Sequence, residues 1–545
     1  MKDRYIILLL IFIFLGISIN GIYWGLPSSK LNELYFTKKD SIQKFSNENK
    51  PEIPRSFYNP IRSYHPDEYF IIKTLQSIKP PFFKFSIEQF SIGGFYLYLY
   101  GLLLLSLSIT GFVHLSRDIL YYFINPEEIA KFYITGRLIS LIYGIGIVLL
   151  TYIITKCLSK NKVSAFLSVI ILTFSPIFLM NTHYMYVDIP GTFWIMLTIY
   201  FALRYLDGEK KGPVLMGLSA GIAAGHKITF LLAFFVSFVA FLIENKSIRE
   251  KMKNIVYSFL SFIGVIIITY PFIFTSIRHL FLGEGQNATQ IVFSPYFYIT
   301  SLRYGLGLPL LVFLLLGIVF TLYKRQDKSR IVVILWIVFF FLTISFPSLK
   351  FARYILPVLP PFIIIGTTGW FSVKNKAILF IRSVAIILIL TFTFIYGMAF
   401  EMLFIKENIR TEAGMWIKEN IPAGSSIGVT EVPWQFQMPP FDYYTYRVEV
   451  IEYNIEELQK KKPEYFILSS FQAPIPPYPI RLQEERINFY NEFVKSGMYK
   501  VEKKFEKYPS LGFITFRFKT LPEDLIYLNP SIVVYRKISY NNSLP

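Results

Sequence analysis

Four consecutive residues, His65-Pro66-Asp67-Glu68, bring an imidazole and two carboxylates into a hydrophilic link between long apolar runs. The stretch around them is rich in tyrosine and broken by proline, from Phe57-Tyr58-Asn59-Pro60 to Tyr69-Phe70. A carboxylate beside a bilayer is costly to bury without a partner. Asp67 and Glu68 are therefore either solvated loop residues or members of a site. In a site, a carboxylate within hydrogen-bond reach of a hydroxyl is a standard general base.

Three further links carry chemistry-bearing residues. Asn181-Thr182-His183-Tyr184-Met185-Tyr186-Val187-Asp188-Ile189-Pro190 holds a histidine and an acid. Gly225-His226-Lys227 closes a small-residue run with a cation. Ser348-Leu349-Lys350-Phe351-Ala352-Arg353-Tyr354 offers two cations before a proline-rich stretch. Each has a plain structural alternative. Asp188, just before Pro190, reads by itself as a helix N-cap. Lys227, Lys350 and Arg353 could snorkel to lipid headgroups. A lone histidine is more often a satisfied core group than a catalyst. What favours a site is that all of them fall on one membrane face.

The elements that must position these residues are membrane helices. The chain has 545 residues, 53% hydrophobic and 18% aromatic, with mean hydropathy +0.46; this is the composition of a polytopic membrane protein. Apolar runs recur at 5–22, 132–155, 163–180, 191–202, 230–243, 256–274, 308–322, 331–346, 355–370 and 377–400. A shorter Gly- and Ala-rich run at 213–225 has the small residues that let helices approach closely in lipid. The expected architecture is a polytopic α-helical membrane protein of about eleven spans with a C-terminal extracytoplasmic α/β domain. The first run follows Lys2 and Arg4 without a small-residue cleavage site and reads as a retained anchor.

The net charge of +19 gathers in short links rather than in a nucleic-acid-binding patch. Clusters at Lys156/Lys160/Lys162, Arg204/Lys210/Lys211, Lys246/Arg249/Lys251/Lys253, Lys324/Arg325/Lys328/Arg330 and Lys374/Lys376/Arg382 mark the cytoplasmic face. The 23–92 loop, the Asp188, Lys227 and Arg353 links, the 275–300 loop and the tail then face outward. Run 95–113 would invert every later helix if it crossed alone, so 95–130 reads as a juxtamembrane or re-entrant element. The alternative is an ordinary span with an unrecognised partner.

The order of these motifs resembles a known family. His-Pro-Asp-Glu precedes Gly136-Arg137-Leu138-Ile139-Ser140 at a span start, then His183-Tyr184 to Asp188-Ile189-Pro190, then Ala-Gly-His-Lys ending at Lys227. Tyr304-Gly305-Leu306-Gly307-Leu308-Pro309 and Lys350-Phe351-Ala352-Arg353-Tyr354-Ile355-Leu356-Pro357 follow. This is similar to the GT-C-fold membrane glycosyltransferases that use polyprenyl-phosphate sugars. The group includes protein O-mannosyltransferases and the aminoarabinose transferases of lipid A. The likeness covers most of residues 1–400.

The resemblance implies an inverting transfer from a polyprenyl-phosphate sugar to an acceptor hydroxyl at the outer face of the cytoplasmic membrane. Asp67 matches the family's base, Glu68 would assist, and Asp188 matches a second acidic position. Lys227, Lys350 and Arg353 would hold the donor phosphate, with His65, His183, His226 and Tyr354 in support. The acceptor is a protein, lipid or glycan. No cofactor is expected. A divalent metal is the lesser alternative, because His65, His183, His226 and His279 share a face but lack a two-histidine helical spacing. Cys157, the single cysteine, excludes intrachain disulfides and cysteine-based zinc sites.

The tail, 401–545, is a different material and resembles the outer soluble domains of such proteins. Ile409, Ala413, Trp416, Ile417 and Ile421 repeat at helical spacing. Strands are expected at 427–430, 448–451, 465–469, 512–518 and 532–535, with helices from Asn454 and over 480–496. Its prolines and tyrosines around Pro474–Pro479 could contact a glycan or a protein, or serve only as a rim. The sequon Asn287-Ala288-Thr289 matters only in a glycosylating host. Two other readings stay open. One is a lipid-linked glycan transporter or flippase, which would place charge mid-span and show a repeat. The other is a polymerase or ligase using a lipid-diphosphate donor.

Overall fold

A computed structural model describes residues 3–37, 41–42, 60–78, 92–271, 291–323, 327–373 and 376–538. His279, the sequon at Asn287 and most of the 275–300 loop lie outside the described residues. The described chain is mostly helical up to residue 420, with strands confined almost wholly to the C-terminal part.

Where they are described, the expected apolar runs are helical over most of their length. Pro126–Ser159, Asp188–Leu206, Ile248–Thr269 and a stretch within Leu379–Asn420 are long and apolar enough to cross a bilayer. Two more pass as bent pairs: Lys162–Thr173 with Pro176–Thr182, at 64°, and Pro295–Leu306 with Leu308–Tyr323, at 114°. By length and composition this gives four spans among the described residues, or up to six with the bent pairs. The other apolar helices, such as Gly94–Ile109, are shorter than about 20 residues.

The chain divides into two compact units. The first joins 1–22, 70–106 and 135–401. In it, the small-residue run forms the helix Gly212–His226, packed against Asp188–Leu206 and Ile248–Thr269. The approach is backbone to backbone: a Cβ on Gly217 would lie 2.1 Å from the carbonyl oxygen of Ser258. This is the close packing that the sequence pattern predicts.

The second unit joins 23–69, 107–134 and 402–545. Its core is a five-stranded sheet in the order Arg447–Val450, Ser426–Val429, Tyr465–Ser469, Ile532–Lys537, Tyr499–Phe505. The first three strands are mutually parallel; Ile532–Lys537 is antiparallel to both of its neighbours. One face packs on the helix Ile409–Asn420 through Ile409, Ala413 and Ile417. The other packs on Glu484–Lys495 through Phe489 and Phe493. The sequence located four of these strands and missed Tyr499–Phe505. That strand reads Tyr-Lys-Val-Glu-Lys-Lys-Phe because it is a sheet edge, where lysines discourage pairing with another chain. The strand expected at 512–518 is instead the short pair Ser510–Leu511 and Ile514–Thr515.

Candidate functional site

Asp188 is the first residue of its helix, and Val187 occupies the cap position without a side-chain cap bond. The N-cap reading of Asp188 is therefore replaced by another role. Its carboxylate is 2% exposed. Oδ1 accepts a hydrogen bond from Lys227 Nζ at 2.9 Å, and Oδ2 lies 3.6 Å from Arg353 Nε. One acid thus faces two cations in a buried setting.

Each cation is brought there by a different local structure. Lys227 ends the Gly212–His226 helix and turns into the 3-10 helix Ile228–Ala233. Arg353 lies in the 3-10 helix Ala352–Ile355. Both are buried rather than snorkelling. Aromatic rings enclose them: Lys227 Nζ sits 4.1 Å from the Tyr354 ring centroid, and the Arg353 guanidinium lies 4.1 Å from Phe351 and 5.0 Å from Tyr186. Such faces favour cations where water is scarce. Lys350 is buried too, but its ammonium donates to the carbonyls of Ser345 at 2.7 Å and Pro347 at 2.5 Å. These bonds fold the loop that presents Arg353.

The platform beneath Lys227 is fixed at its carbonyl end. The last carbonyls of a helix need outside donors. Tyr270 Oη donates to Ala224 O at 3.1 Å, and Gly93 N donates to His226 O at 2.7 Å. His226 itself is fully buried, with Nδ1 2.8 Å from Ile222 O and its ring against Phe95, Tyr96 and Tyr143. His183 is held by Leu179 O at 2.8 Å on Nδ1 and by Glu401 Oε1 at 3.2 Å on Nε2. Both histidines are packed groups of the membrane unit.

Sequence reasoning missed Glu401. It follows the apolar run 377–400 and looked like its boundary, yet the helix continues through Met402-Leu403-Phe404-Ile405. Those four apolar residues after the acid were the available signal. Arg137, fully buried with Nη1 2.8 Å from Ile22 O, was seen only as part of a motif.

The His65-Pro66-Asp67-Glu68 motif belongs to the second unit. Glu68 opens the helix Glu68–Ser77, is fully buried, and accepts a 2.5 Å hydrogen bond from Ser63 Oγ. The Asp67 amide donates to His65 Nδ1 at 3.3 Å, which turns the chain tightly between the two residues. The His65 ring meets the edge of Tyr527 at 5.4 Å. Nearby, Arg62 lies over Tyr69 at 4.5 Å. Burial holds the Arg62 guanidinium below its ordinary value, with Tyr69 and Tyr133 acting in the opposite direction. Arg410 is also buried; it donates to the carbonyls of Phe436 and Tyr527 and lies over Tyr64 at 5.0 Å. Among the described residues no group of three His, Cys, Asp or Glu side chains is arranged to hold a metal.

Residues 99–278, about a third of the chain, match the family model described as dolichyl-phosphate-mannose-protein mannosyltransferase. The match takes in Asp188 and Lys227. That family is of the class that the motif order resembles. An uncharacterised protein of Aquifex aeolicus (strain VF5) is 23% identical over 265 residues, covering 46% of this chain and 52% of that one. The match thus spans about half the length of that relative. Among solved structures, ArnT from Cupriavidus metallidurans in the apo state is 11% identical with a TM-score of 0.46, over 98% of both chains. The archaeal oligosaccharyltransferase AglB from Archaeoglobus fulgidus, in complex with an inhibitory peptide and a dolichol-phosphate, is 13% identical with a TM-score of 0.46, over 86% of this chain and 70% of that one.

Proposed function

We propose that the chain transfers a sugar from a polyprenyl phosphate to an acceptor hydroxyl, with inversion, at the outer face of the cytoplasmic membrane. The observation that carries this reading is the convergence of Lys227 and Arg353 on Asp188 in a buried, aromatic-lined setting. Two cations against one acid leave net positive charge for a phosphate anion. Preorganised cations stabilise developing negative charge most strongly where water is excluded. Arg353 can grip two phosphate oxygens at once, and Lys227 adds a point charge.

In the reaction, the acceptor oxygen forms a bond to the anomeric carbon as the bond from that carbon to the phosphate oxygen breaks. The hydroxyl proton passes to Asp67, and polyprenyl phosphate leaves as the anion. Glu68, held by Ser63, orients the acceptor. Asp188 holds the two cations in place and offsets their repulsion before the donor arrives. Lys350 supports the Arg353 loop and is set apart from the phosphate contacts. The basic links support an inner-membrane protein of about eleven spans with the 401–545 domain outside. No metal is required, because the phosphate is served by side-chain cations.

The test is a screen of lipid-linked donors with the purified chain in detergent, with products read by mass spectrometry. Transfer of an intact sugar with release of polyprenyl phosphate is expected. Release of a polyprenyl diphosphate, or movement of an unmodified lipid-linked glycan across vesicles without transfer, would replace this reading.

A further inference from the structure

The second unit carries a group of neutral polar side chains that its own fold does not satisfy. Gln435 is 4% exposed, and neither its carboxamide oxygen nor its nitrogen has a hydrogen-bond partner among the described residues. The same holds for the carboxamide oxygen of Gln437 and the nitrogen of Gln472. Gln472 Oε1, by contrast, accepts from the amide and hydroxyl of Ser469. Buried polar groups are nearly always paired, so such a cluster asks for an explanation.

Their place in the fold is informative. Ser426–Val429 and Tyr465–Ser469 are parallel neighbours. The three glutamines come from the segments that leave their carboxyl ends, 430–437 and 470–476. The chain runs from Ser426–Val429 to Arg447–Val450 on one side, then crosses to Tyr465–Ser469 on the other. Ligands of open α/β sheets bind outside the carboxyl ends of the strands at such a reversal. Trp434, half-buried, stands in the first segment with Arg62 over its ring at 5.4 Å. Phe436 packs on Tyr527 at 5.4 Å, and Tyr527 in turn on His65, two residues before Asp67. The glutamine cluster and the Asp67 loop thus share one packed unit.

We propose that segment 430–437, with Arg62 and Gln472, is the acceptor site of the transferase, and that the acceptor is a glycan. Sugar hydroxyls are donors and acceptors at once, which is what uncharged carboxamides pair with on both their atoms. The half-buried indole, with Arg62 over its ring, adds an aromatic side chain of the kind that packs on the C–H side of a pyranose. Glu431 of the same segment is already paired with Arg486 at 3.3 Å, which leaves the three glutamines as the neutral polar lining. The proposal rests on the glycosyltransferase reading, since it delivers a hydroxyl to the Asp67 loop.

The experiment uses the full chain in a sugar-free detergent, without donor. Saturation-transfer NMR reads binding of methyl α-mannopyranoside, methyl β-galactopyranoside and lactose, with a Ser/Thr tetrapeptide as comparator. Saturable binding of at least one saccharide is expected, weakened at least tenfold in Gln435→Leu and in Trp434→Ala. Gln435→Leu should also keep or raise the unfolding temperature, because it removes unmet polar atoms of similar volume; a purely structural glutamine would lower it. Should Trp434→Ala fail to fold, Trp434→Phe provides the second measurement, with a smaller loss expected. No saccharide binding, saccharide binding unchanged in Gln435→Leu, or binding of the peptide alone would overturn the proposal. A separate arm adds lipid-linked donor. Saccharide binding that never leads to transfer would sink the enzyme reading and leave the site standing. Transfer that is insensitive to Gln435→Leu would do the reverse.

Discussion

The two compact units each place acids at a helix start, and they treat them differently. In the membrane unit Asp188 is locked between Lys227 and Arg353. In the other unit Glu68 is held by the hydroxyl of Ser63, and the Asp67 main chain by the imidazole of His65. An acid whose oxygens face two cations is committed to holding them. Glu68, by contrast, takes its hydrogen bond from a neutral hydroxyl. On the proposed function, the first arrangement serves charge stabilisation and the Asp67 loop serves proton transfer.

The sharpest way to break this contrast is Asp67→Asn. It should cut transfer by about 10²–10⁴-fold with donor binding largely intact, the range expected for loss of general-base catalysis. Near-parental turnover by this variant would move the base elsewhere. The next test is Asp188→Ala, which leaves two cations buried without their acid. Removing one partner of a buried pair typically costs about 3–5 kcal/mol, so thermal unfolding in detergent should show a large loss. Lys227→Met in the same chain should recover part of it. A stability loss no greater than that of Glu68→Gln would erase the difference between the two regions.

A smaller effect is expected at Arg353. Arg353→Ala should weaken donor binding by about 1.5–3 kcal/mol, the worth of a hydrogen bond to a charged group, and Arg353→Lys should recover only part because the two-point grip is lost. Isothermal titration with polyprenyl phosphate would check both, and parental affinity in the alanine variant would remove the phosphate assignment. Glu68→Gln should reduce transfer less than Asp67→Asn does; equal losses would mean that the two acids act as a unit. Finally, a cysteine at Lys251, in a chain with Cys157 replaced, should resist membrane-impermeant thiol reagents in intact cells. Ready labelling there would invert the assignment of faces.

Much of this was legible in the sequence because it follows from period and composition. The described part of each expected apolar run is mostly helix, and the small residues around Gly217 became a close helix contact. Strands such as Tyr465–Ser469 were visible because buried strands are written in β-branched and aromatic residues. Tyr499–Phe505 was not, because an edge strand is written in lysine and glutamate. At the site, the residue types and the membrane face suggested a group, but no periodicity links Asp188 to Lys227 and Arg353. They meet only through tertiary packing. Local rules even misled at Asp188, where the acid before a proline looked like a cap. Glu401 and the glutamines after Ser426–Val429 left weaker marks still, since a polar residue is informative only once its burial is known.

Gly93 has a consequence for how the molecule breathes. Its amide is bonded to His226 O, and a Cβ at this position would lie 2.0 Å from the carbonyl oxygen of Gly225. Amides in links between helices ordinarily exchange their protons with solvent quickly, because local opening is easy. Gly93 cannot release its proton unless it parts from the carbonyl end of the helix that carries Lys227. In a hydrogen-exchange experiment it should therefore report with the slow helical core, and bound donor should slow it further. A single link residue thereby becomes a clock for the opening of the carbonyl end of that helix.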